Sequence, residues 1–352
     1  MKFTKNLLIV IAVIIMAGIL LAFTGIAIGG FRLDSINTDQ SYEEKHYSYD
    51  GAKVKSLVVK DVSTEVELIP SPDNSFQITT YENDKDKYKV SLSPAGELRI
   101  EYYSTKKWFE YIGLHIELQS RATTVAVPAV FMGAVDTSTV SGSISIKDIK
   151  LQEELNVHST SGELTLANII TPKRFDASTT SGTIRLNNCN ANGPMKLQST
   201  SGEVMLDTAE IAGDITVNSM SGSLRLENVN AKGTADISST SGEITFKNST
   251  FSGGISSDCT SGSIRLDKTG SQGDVTLHTT SGEISFTKLS GNNFSFTSNS
   301  GTVSGTLLGS EADYSVEASS TSGDRDVPQS KGGSKKLKAS TTSGEISIRF
   351  EQ

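Results

Sequence analysis

Few residues of this chain have the types and spacing that catalysis requires. Ser104 and Lys107 show the Ser-x-x-Lys spacing of enzymes that form serine acyl intermediates. Four residues in a predicted loop are weak support, and the sequence contains no Gly-x-Ser-x-Gly motif that would present a nucleophilic serine at a sharp turn. The many Ser-Gly pairs of the chain are too numerous to mark nucleophiles. We therefore expect no catalytic serine and no enzymatic activity.

The histidines and cysteines do not suggest a metal site. Cys189 and Cys259 are the only cysteines, so neither a disulfide framework nor a cysteine-based zinc site is predicted. His158 and His278 occupy the same position in repeats that are six repeats apart. At a strand spacing of about 4.8 Å they lie roughly 29 Å from each other, too far to share an ion. The sequence predicts no metal and no cofactor.

A column of glutamates invites comparison with glycosidases. These enzymes need two carboxyl groups about 5 to 10 Å apart. Glu163, Glu203, Glu243 and Glu283 recur in every second repeat, and arginines occupy the neighbouring position in the repeats between. Regular alternation of opposite charges favours ion pairs that stabilise a stack of repeats. We therefore interpret the column as structural, and a carbohydrate-active β-helix enzyme is the least favoured function.

One aromatic segment is the best candidate for contact with a partner. Lys106 and Lys107 are interleaved with five aromatic residues in a chain that has only 7% aromatic residues. The aromatic residues are Tyr102, Tyr103, Trp108, Phe109 and Tyr111. Two interpretations remain open: a hairpin that packs on the first coil, or a contact for carbohydrate, peptide or lipid headgroups. A second irregular segment, 324–338, contains four lysines and interrupts the repeats, which predicts a solvated loop.

The first segment predicts where the rest of the chain resides. Residues 7–28 are uncharged and apolar, and as a helix they span about 30 Å, the thickness of the hydrocarbon core. Lys2 and Lys5 precede them, so residues 1–6 are predicted to stay cytoplasmic and the remainder to be extracytoplasmic. The alternative is a cleaved signal peptide with a cleavage site at Gly25–Ala27. The apolar core of signal peptides is usually shorter than the apolar segment 7–28. A polar stalk is predicted over 29–50.

A repeat of twenty residues organises most of the chain. Ser-Gly recurs every twenty residues from Ser141 to Ser281 and continues, with drifting spacing, to Ser343. After each glycine, apolar and polar residues alternate, which is the period of a β-strand. One apolar column comprises Ile144, Leu164, Ile184, Val204, Leu224, Ile244, Ile264 and Ile284. A single coil cannot bury its apolar side, whereas stacked coils form a continuous core. The pattern predicts an all-β protein with a parallel β-solenoid over 137–352.

Small residues mark the corners and the narrow side of each predicted coil. The Ser-Gly glycine is expected at a corner with positive φ, and Asn168 with its copies marks a second corner that tolerates the left-handed conformation. Ser159 and its equivalents should point inward, with hydroxyl groups bonded to the backbone. Thr160 and its equivalents, interrupted by Met220, should form an exposed column. Residues 51–136 lack the repeat but contain strand-like runs, and they are predicted to form a β-rich membrane-proximal region that caps the first coil.

The repeats resemble a known family. Ser161-Gly162-Glu163-Leu164 and their copies, with the predicted anchor and Val127-Pro128, are similar to the bacterial "putative adhesin" family of membrane-anchored surface proteins. The resemblance covers roughly 50–352 and implies a β-solenoid. The common domain of that family has no established activity, so the resemblance implies no active-site residue.

These observations favour a surface protein that binds rather than catalyses. The first hypothesis is a non-enzymatic, adhesin-like or envelope-associated binding scaffold of the cell membrane, whose partner is an envelope polymer, a surface ligand or a membrane protein. The second is a membrane-tethered accessory or sensor protein in an envelope-stress pathway. Nucleic acid is not expected, because the net charge is −8 and the nucleic-acid footprint is basic.

Overall fold

The computed structural model describes residues 42–106, 121–328 and 330–352. The predicted membrane span at 7–28 lies outside this part of the chain. No helix among the described residues is long and apolar enough to cross a membrane. Residues 43–105 and 121–352 form one compact unit.

The described residues form 31 β-strands and two short 3₁₀ helices, Gly51–Lys53 and Glu311–Asp313. The strands are β1 Glu43–Asp50, β2 Ser56–Lys60, β3 Glu65–Pro70, β4 Ser75–Glu82, β5 Asp86–Leu92, β6 Glu97–Ser104, β7 Ala122–Val127, β8 Ala134–Thr139, β9 Ile144–Lys147, β10 Leu155–Ser159, β11 Leu164–Thr171, β12 Phe175–Thr179, β13 Ile184–Ala191, β14 Met195–Ser199, β15 Val204–Ile211, β16 Ile215–Ser219, β17 Leu224–Ala231, β18 Ala235–Ser239, β19 Ile244–Lys247, β20 Thr250–Phe251, β21 Ile255–Cys259, β22 Ile264–Asp267, β23 Gly270–Ser271, β24 Val275–Thr279, β25 Ile284–Leu289, β26 Phe294–Ser298, β27 Val303–Leu308, β28 Tyr314–Ser322, β29 Arg325–Asp326, β30 Lys335–Ser343 and β31 Ile346–Glu351.

These strands stack as two sheets that face each other across one core. Sheet A contains β11, β13, β15 and β17 in succession, and sheet B contains β10, β12, β14 and β16. Strands in adjacent coils are parallel and in a register of twenty, for example Leu164 opposite Ile184 and Phe175 opposite Met195. The predicted all-β parallel solenoid is therefore confirmed.

Alternation along each strand divides core from surface as predicted. Leu186, Leu206 and Leu226 are almost fully buried in one inward column of sheet A. Met195 and Ile215 are likewise buried in an inward column of sheet B, and the side chains of the two sheets meet in a single apolar cluster. Because successive side chains of a strand point to opposite faces, the residues between them are exposed or half-buried.

The Ser-Gly corner requires glycine for a reason other than the predicted one. A Cβ on Gly162 would lie 1.7 Å from the carbonyl oxygen of Gly142, and a Cβ on Gly202 would lie 1.6 Å from that of Gly182. Of the described Ser-Gly glycines, only Gly323 has a φ in the left-handed region, at 151°. The expectation of positive φ was therefore wrong, and the close approach of consecutive coils is what excludes a side chain.

The other two corner predictions are confirmed. Asn168 has a φ of 55° and Asn188 a φ of 52°, and the equivalent Thr208 adopts the same conformation with a φ of 60°. The inward hydroxyl of Ser159 accepts a hydrogen bond from the backbone N–H of Gly162 at 2.8 Å. It donates to the carbonyl oxygen of Gly142, one coil away, at 3.4 Å. Ser159 thus fixes its own corner and ties it to the preceding coil, and Ser239 makes the same two bonds.

The first end of the stack is built from the segment 51–136. Strand β2 lies between β6 and β8 in sheet B, and β3 lies between β7 and β9 in sheet A. Antiparallel strands close this end: β4 and then β1 follow β7, and β5 follows β6. The domain boundary predicted at residue 136 stays a prediction, but in the structure this position falls inside β8.

The last coils also depart from chain order. Strand β30 pairs with β26 on one side and β28 on the other, and β31 lies between β27 and β29. The coil formed by β28 and β29 is therefore the end of the stack although it is not the end of the chain. The segment 324–338 was predicted to be a solvated loop, and for two parts of it this was wrong. Arg325 and Asp326 form β29, and Lys335, Lys336 and Lys338 lie in β30.

Candidate interaction surfaces

The aromatic candidates are separated by the alternation of strand β6. Tyr102 points toward the core, where its ring centroid lies 5.6 Å from that of Tyr88 and its hydroxyl donates to Asp86 at 2.8 Å. Tyr103 points away from the core and is 46% exposed. Trp108, Phe109 and Tyr111 lie outside the described residues. Of the two tyrosines, only Tyr103 is available to a partner.

Tyr103 has a basic neighbour on the outer face of sheet B. Lys87 of β5 is its partner in the antiparallel pairing with β6. An exposed phenol ring beside an ammonium group offers stacking, a hydrogen-bond donor and a positive charge. These groups suit a sugar, a peptide or a lipid headgroup, which are the three classes named from the sequence.

A buried carboxylate below this surface is structural. One oxygen of Asp61 accepts from the backbone N–H of Val62 at 2.6 Å and of Thr64 at 3.1 Å. The other accepts from the hydroxyl groups of Tyr88 at 2.6 Å and Thr123 at 3.1 Å. Burial and the nearby Asp61 carboxylate raise the pKa of Tyr88. Both oxygens of Asp61 are saturated, so this network holds the first coils together rather than offering a reactive group.

The Ser-x-x-Lys pair receives no catalytic support from the described residue. The Ser104 hydroxyl donates to Asp86 at 2.9 Å, beside the Tyr102 hydroxyl on the same carboxylate oxygen. Asp86 is 3% exposed and sits at the start of β5. This arrangement fastens the end of β6 to β5. Lys107 lies outside the described residues.

The longest regular surface is a corner where threonines stack. We call it the corner ridge and define it by Val62, Val140, Thr160, Thr180, Thr200, Met220, Thr240, Thr260 and Thr280. Backbone bonds hold its spacing: the Ser181 N–H donates to the Thr160 carbonyl at 2.9 Å, and equivalent bonds recur in the other coils. Met220 is 58% exposed, Val140 47% and Val62 41%. At about 4.8 Å per coil, the ridge is roughly 38 Å long.

The outer face of sheet A carries neutralised charges. Arg185 pairs with Glu163, and Arg265 pairs with Glu243 at 2.5 Å, each across neighbouring coils. Lys247 pairs with Glu227 at 2.6 Å. Two of the glutamates that could have suggested glycoside hydrolysis, Glu163 and Glu243, thus pair with arginines, as the alternation in the sequence predicted. Surface pairs of this kind contribute up to about 1 kcal/mol each, and they relieve repulsion along the column.

The titratable side chains of the described residues do not form a metal-binding cluster. No cluster of histidine, cysteine and carboxylate side chains that could hold a metal occurs in the described ranges. His158 shares a hydrogen bond with Ser178 of the next coil at 3.0 Å. Cys189 and Cys259 are buried, and burial raises the pKa of the Cys189 thiol to about 12. A feature that sequence reasoning missed is the Asp61 network, for which a lone aspartate in the inward serine position was the only signal.

Comparison with known proteins identifies a family with a matching sequence. The chain matches the family described as Toastrack DUF4097 over residues 54–272 and 212–349. No curated protein sequence is similar enough to count as a match.

Three solved structures are similar at low identity. A "putative cell adhesion protein" of Clostridium sporogenes is 10% identical, with 88% of this chain and 100% of that chain covered and a TM-score of 0.26. A "putative adhesin" of Bacteroides fragilis is 10% identical, with 89% and 99% covered and a TM-score of 0.32. A "putative adhesin" of Parabacteroides merdae is 12% identical, with 76% and 97% covered and a TM-score of 0.30. At these scores the similarities carry no argument about function.

Proposed function

Since the chain belongs to the Toastrack DUF4097 family, we propose that it is a non-enzymatic, adhesin-like binding scaffold held at the outer side of the cell membrane. In this proposal residues 7–28 form the anchor and the solenoid extends from it. The partner is a polymer of the cell envelope or a surface ligand. The observation that supports the proposal best is the corner ridge.

The ridge suits a long ligand with many equivalent groups. Its threonines each present a hydroxyl and a methyl group, and backbone bonds between coils hold them in line. A hydrogen bond at a wet surface contributes only about 0.5 to 1.5 kcal/mol, so no single threonine would capture a ligand. Once one contact forms, the next becomes intramolecular, and the contacts accumulate along the ridge. A polymer gains from such an arrangement, whereas a small metabolite does not.

Two sets of arginine substitutions can test the ridge. The ridge variant replaces Thr180, Thr200 and Thr240, and the control variant replaces Thr216, Ser256 and Thr276 on the outer face of sheet B. Both add three positive charges to accessible positions. We expect the full-length chain to bind isolated cell-wall sacculi, the ridge variant to lose most of that binding and the control to retain it. Equal binding by the two variants, or no binding by the unmodified chain, would contradict the proposal.

The placement of the array outside the membrane has its own test. Protease added to intact spheroplasts should digest residues 50–352 and leave a small anchored fragment. Full protection of the array in sealed cells would contradict both the anchor and the proposed location.

A second function is favoured by Tyr103. Its exposed ring beside Lys87 lies at the capped end, away from most of the ridge. This placement suits a membrane-tethered accessory or sensor protein that contacts a membrane protein through the cap. Crosslinking in intact envelopes distinguishes the two functions: Tyr103→Ala should abolish a crosslink to a membrane protein, while the ridge variant should leave it unchanged.

A further inference from the structure

We propose that the solenoid locks its first coil and its last coil inside the stack, so that neither of these coils unwinds from an exposed end. The first coil in the chain, β2 with β3, lies inside the coil of β6 and β7, and the last coil, β30 with β31, lies inside the coil of β28 and β29. The coils that do form the ends are interior in the sequence. This arrangement is independent of the proposed binding function.

The lock at the first end depends on pairing on both sides of β2 and β3. Ser56–Lys60 is in parallel register with Glu97–Glu101 on one side and with Ala134–Ser138 on the other. In sheet A, Leu68 is opposite Val125 of β7 and Ile146 of β9. Withdrawing this coil therefore requires two interfaces to open at once.

The lock at the other end has the same form. Leu337 of β30 is opposite Phe294 of β26 and Val316 of β28. The glycine corners record the same order, because a Cβ on Gly344 would meet the carbonyl oxygen of Gly301 and a Cβ on Gly323 would meet that of Gly344. The last strand of the chain, β31, pairs with β27 along its length and with β29 at its start.

The exposed end coil is fastened by its own segment. The carbonyl oxygen of Ser330 accepts from the N–H of Val316 at 3.0 Å, and the Arg325 guanidinium donates to the carbonyl of Ala318 at 3.2 Å. These bonds occupy backbone groups on the outer edge of β28. Open edges pair readily with other chains, so the same bonds also discourage association at this end.

The physical consequence follows from nearest-neighbour stability. In a repeat array each coil is held mainly by the coils next to it, so a simple solenoid frays at its chain ends, where the last coil has one neighbour. Chain termini are ordinarily the least protected part of a domain. Here the first and last coils have a parallel coil on each side. The coils outside them, β6 with β7 and β28 with β29, are joined to the rest of the chain at both of their ends, and β6 and β7 also pair with the antiparallel strands β5 and β4. Among the described strands, β1 at the edge of sheet A and β5 at the edge of sheet B lie outside this lock, and β1, with mostly exposed side chains, is expected to peel first.

Hydrogen exchange of the full-length chain in detergent can test the lock. Amides of β2 and β31 should exchange as slowly as those of β15 in the middle of the array, whereas β28 and β1 should exchange faster. The lock would be refuted if β2 or β31 exchanged faster than β28.

A deletion and a matched control sharpen this experiment. Removing residues 309–332 joins β27 to β30 through five residues, 308 and 333–336, which lie between Leu307 and Leu337. This length is similar to that of the connection one coil earlier, where four residues, 290–293, join Leu289 to Phe294. In this variant β31 loses its outer neighbour, and its exchange should accelerate about tenfold or more while β15 is unchanged. The control removes residues 203–222, one whole internal coil, and should leave β31 as slow as in the unmodified chain. Unchanged exchange of β31 after removal of 309–332 would overturn the proposal.

Discussion

The same inward position at the end of a strand is occupied by a hydroxyl side chain in the array and by a carboxylate in the cap. In the array Ser159 begins the corner Ser-Thr-Ser-Gly, and its hydroxyl both accepts from Gly162 and donates to Gly142. In the coil of β2 and β3 the equivalent residue is Asp61, in the corner Asp-Val-Ser-Thr, which only accepts. A hydroxyl suits a position with a carbonyl group one coil away. A carboxylate suits a position where the next group is the hydroxyl of Tyr88, a donor.

The glycine shows the same difference. Each glycine of the Ser-Gly corners sits against a backbone carbonyl of a neighbouring coil, but Thr64 holds the equivalent position in the cap. The connection between β6 and β7, residues 105–121, is longer than the four-residue corner of the array. Thr64 therefore keeps a side chain, and its hydroxyl lies 2.8 Å from that of Tyr88. In the array the close approach of consecutive coils requires glycine at this corner position, whereas in the cap, where the repeat ends, the position accommodates threonine.

The largest loss of stability is expected when a corner glycine of the array is given a side chain. The cap carries a side chain at this position. In Gly202→Ala the new Cβ would overlap the Gly182 carbonyl, a backbone atom that cannot move without shifting a coil. We expect a loss of about 4 kcal/mol in the free energy of unfolding, the range of severe lesions. Gly332→Ala is the control, because its added Cβ would meet no other atom within 4 Å. Chemical denaturation measures both, and similar midpoints would contradict the close-approach argument.

The core of the array should respond to truncation in a graded way. Leu206→Ala should cost about 2 to 5 kcal/mol, as buried leucine truncations do, because Leu206 is 1% exposed between Leu186 and Leu226. Thr200→Ala, on the exposed ridge, should cost well under about 1 kcal/mol. Hydrogen exchange should show protection lost around 180–230 and retained near 150. If Thr200→Ala is the more damaging change, the assignment of inner and outer faces is wrong.

The cap should depend on its carboxylate more locally. Asp61→Asn replaces an acceptor with a donor that faces the hydroxyl groups of Tyr88 and Thr123, so we expect a loss of about 1 to 3 kcal/mol. Exchange should accelerate in β2, β6 and β7 and stay unchanged in β15. Asp236→Asn is the control, since Asp236 lies on the exposed face of sheet B. Equal exchange in the two variants would show that the network does not stabilise the cap.

Alkaline pH should separate the two regions. Burial raises the pKa of Tyr47 to about 12, with Glu82 adding to the shift, and burial raises that of Tyr88 as well. A group whose pKa is higher in the folded state contributes stability that is complete below its unfolded pKa of about 10 and is lost as the pH rises toward the folded value. The array has no tyrosine between residues 121 and 313, but burial also raises the pKa of its two cysteine thiols, so the comparison uses a Cys189→Ala, Cys259→Ser variant. In this variant the cap should open before these coils between about pH 10 and 12. Exchange corrected for intrinsic rates measures this order, and simultaneous opening would contradict it.

The smallest effects concern two hydroxyl groups in the array. Ser257 is buried between Ile237 and Leu277 in sheet B, and its hydroxyl finds no partner among the described residues. Ser257→Ala should leave stability within about 0.5 kcal/mol or raise it, since an unsatisfied polar group is removed. Ser239→Ala should cost about 1 kcal/mol, because its hydroxyl accepts from Gly242 and donates to Gly222. Thermal denaturation compares the two, and an equal loss would contradict the role given to the inward hydroxyl groups.

Much of the fold could be predicted because the period of twenty repeats local information. Leu164, Ile184 and Val204 were assigned inward from alternation alone, and Asn168 was assigned to a left-handed corner from its residue type. The candidate site was less predictable. Tyr102 and Tyr103 are adjacent in the sequence and equally aromatic, and only their opposite directions from β6 show that one is bound to Asp86 and the other is exposed.

The sequence by itself determined the strands, the coil length and the inner and outer faces of the array, since each depends on residues within one or two repeats. Only the tertiary structure decided the order in which the end coils stack. Strands β2 and β30 have the same alternation as any other coil, so the local pattern allows each of them to pair with several partners. Their positions follow from long-range contacts, such as Leu57 opposite both Leu98 and Val135, which no local pattern encodes.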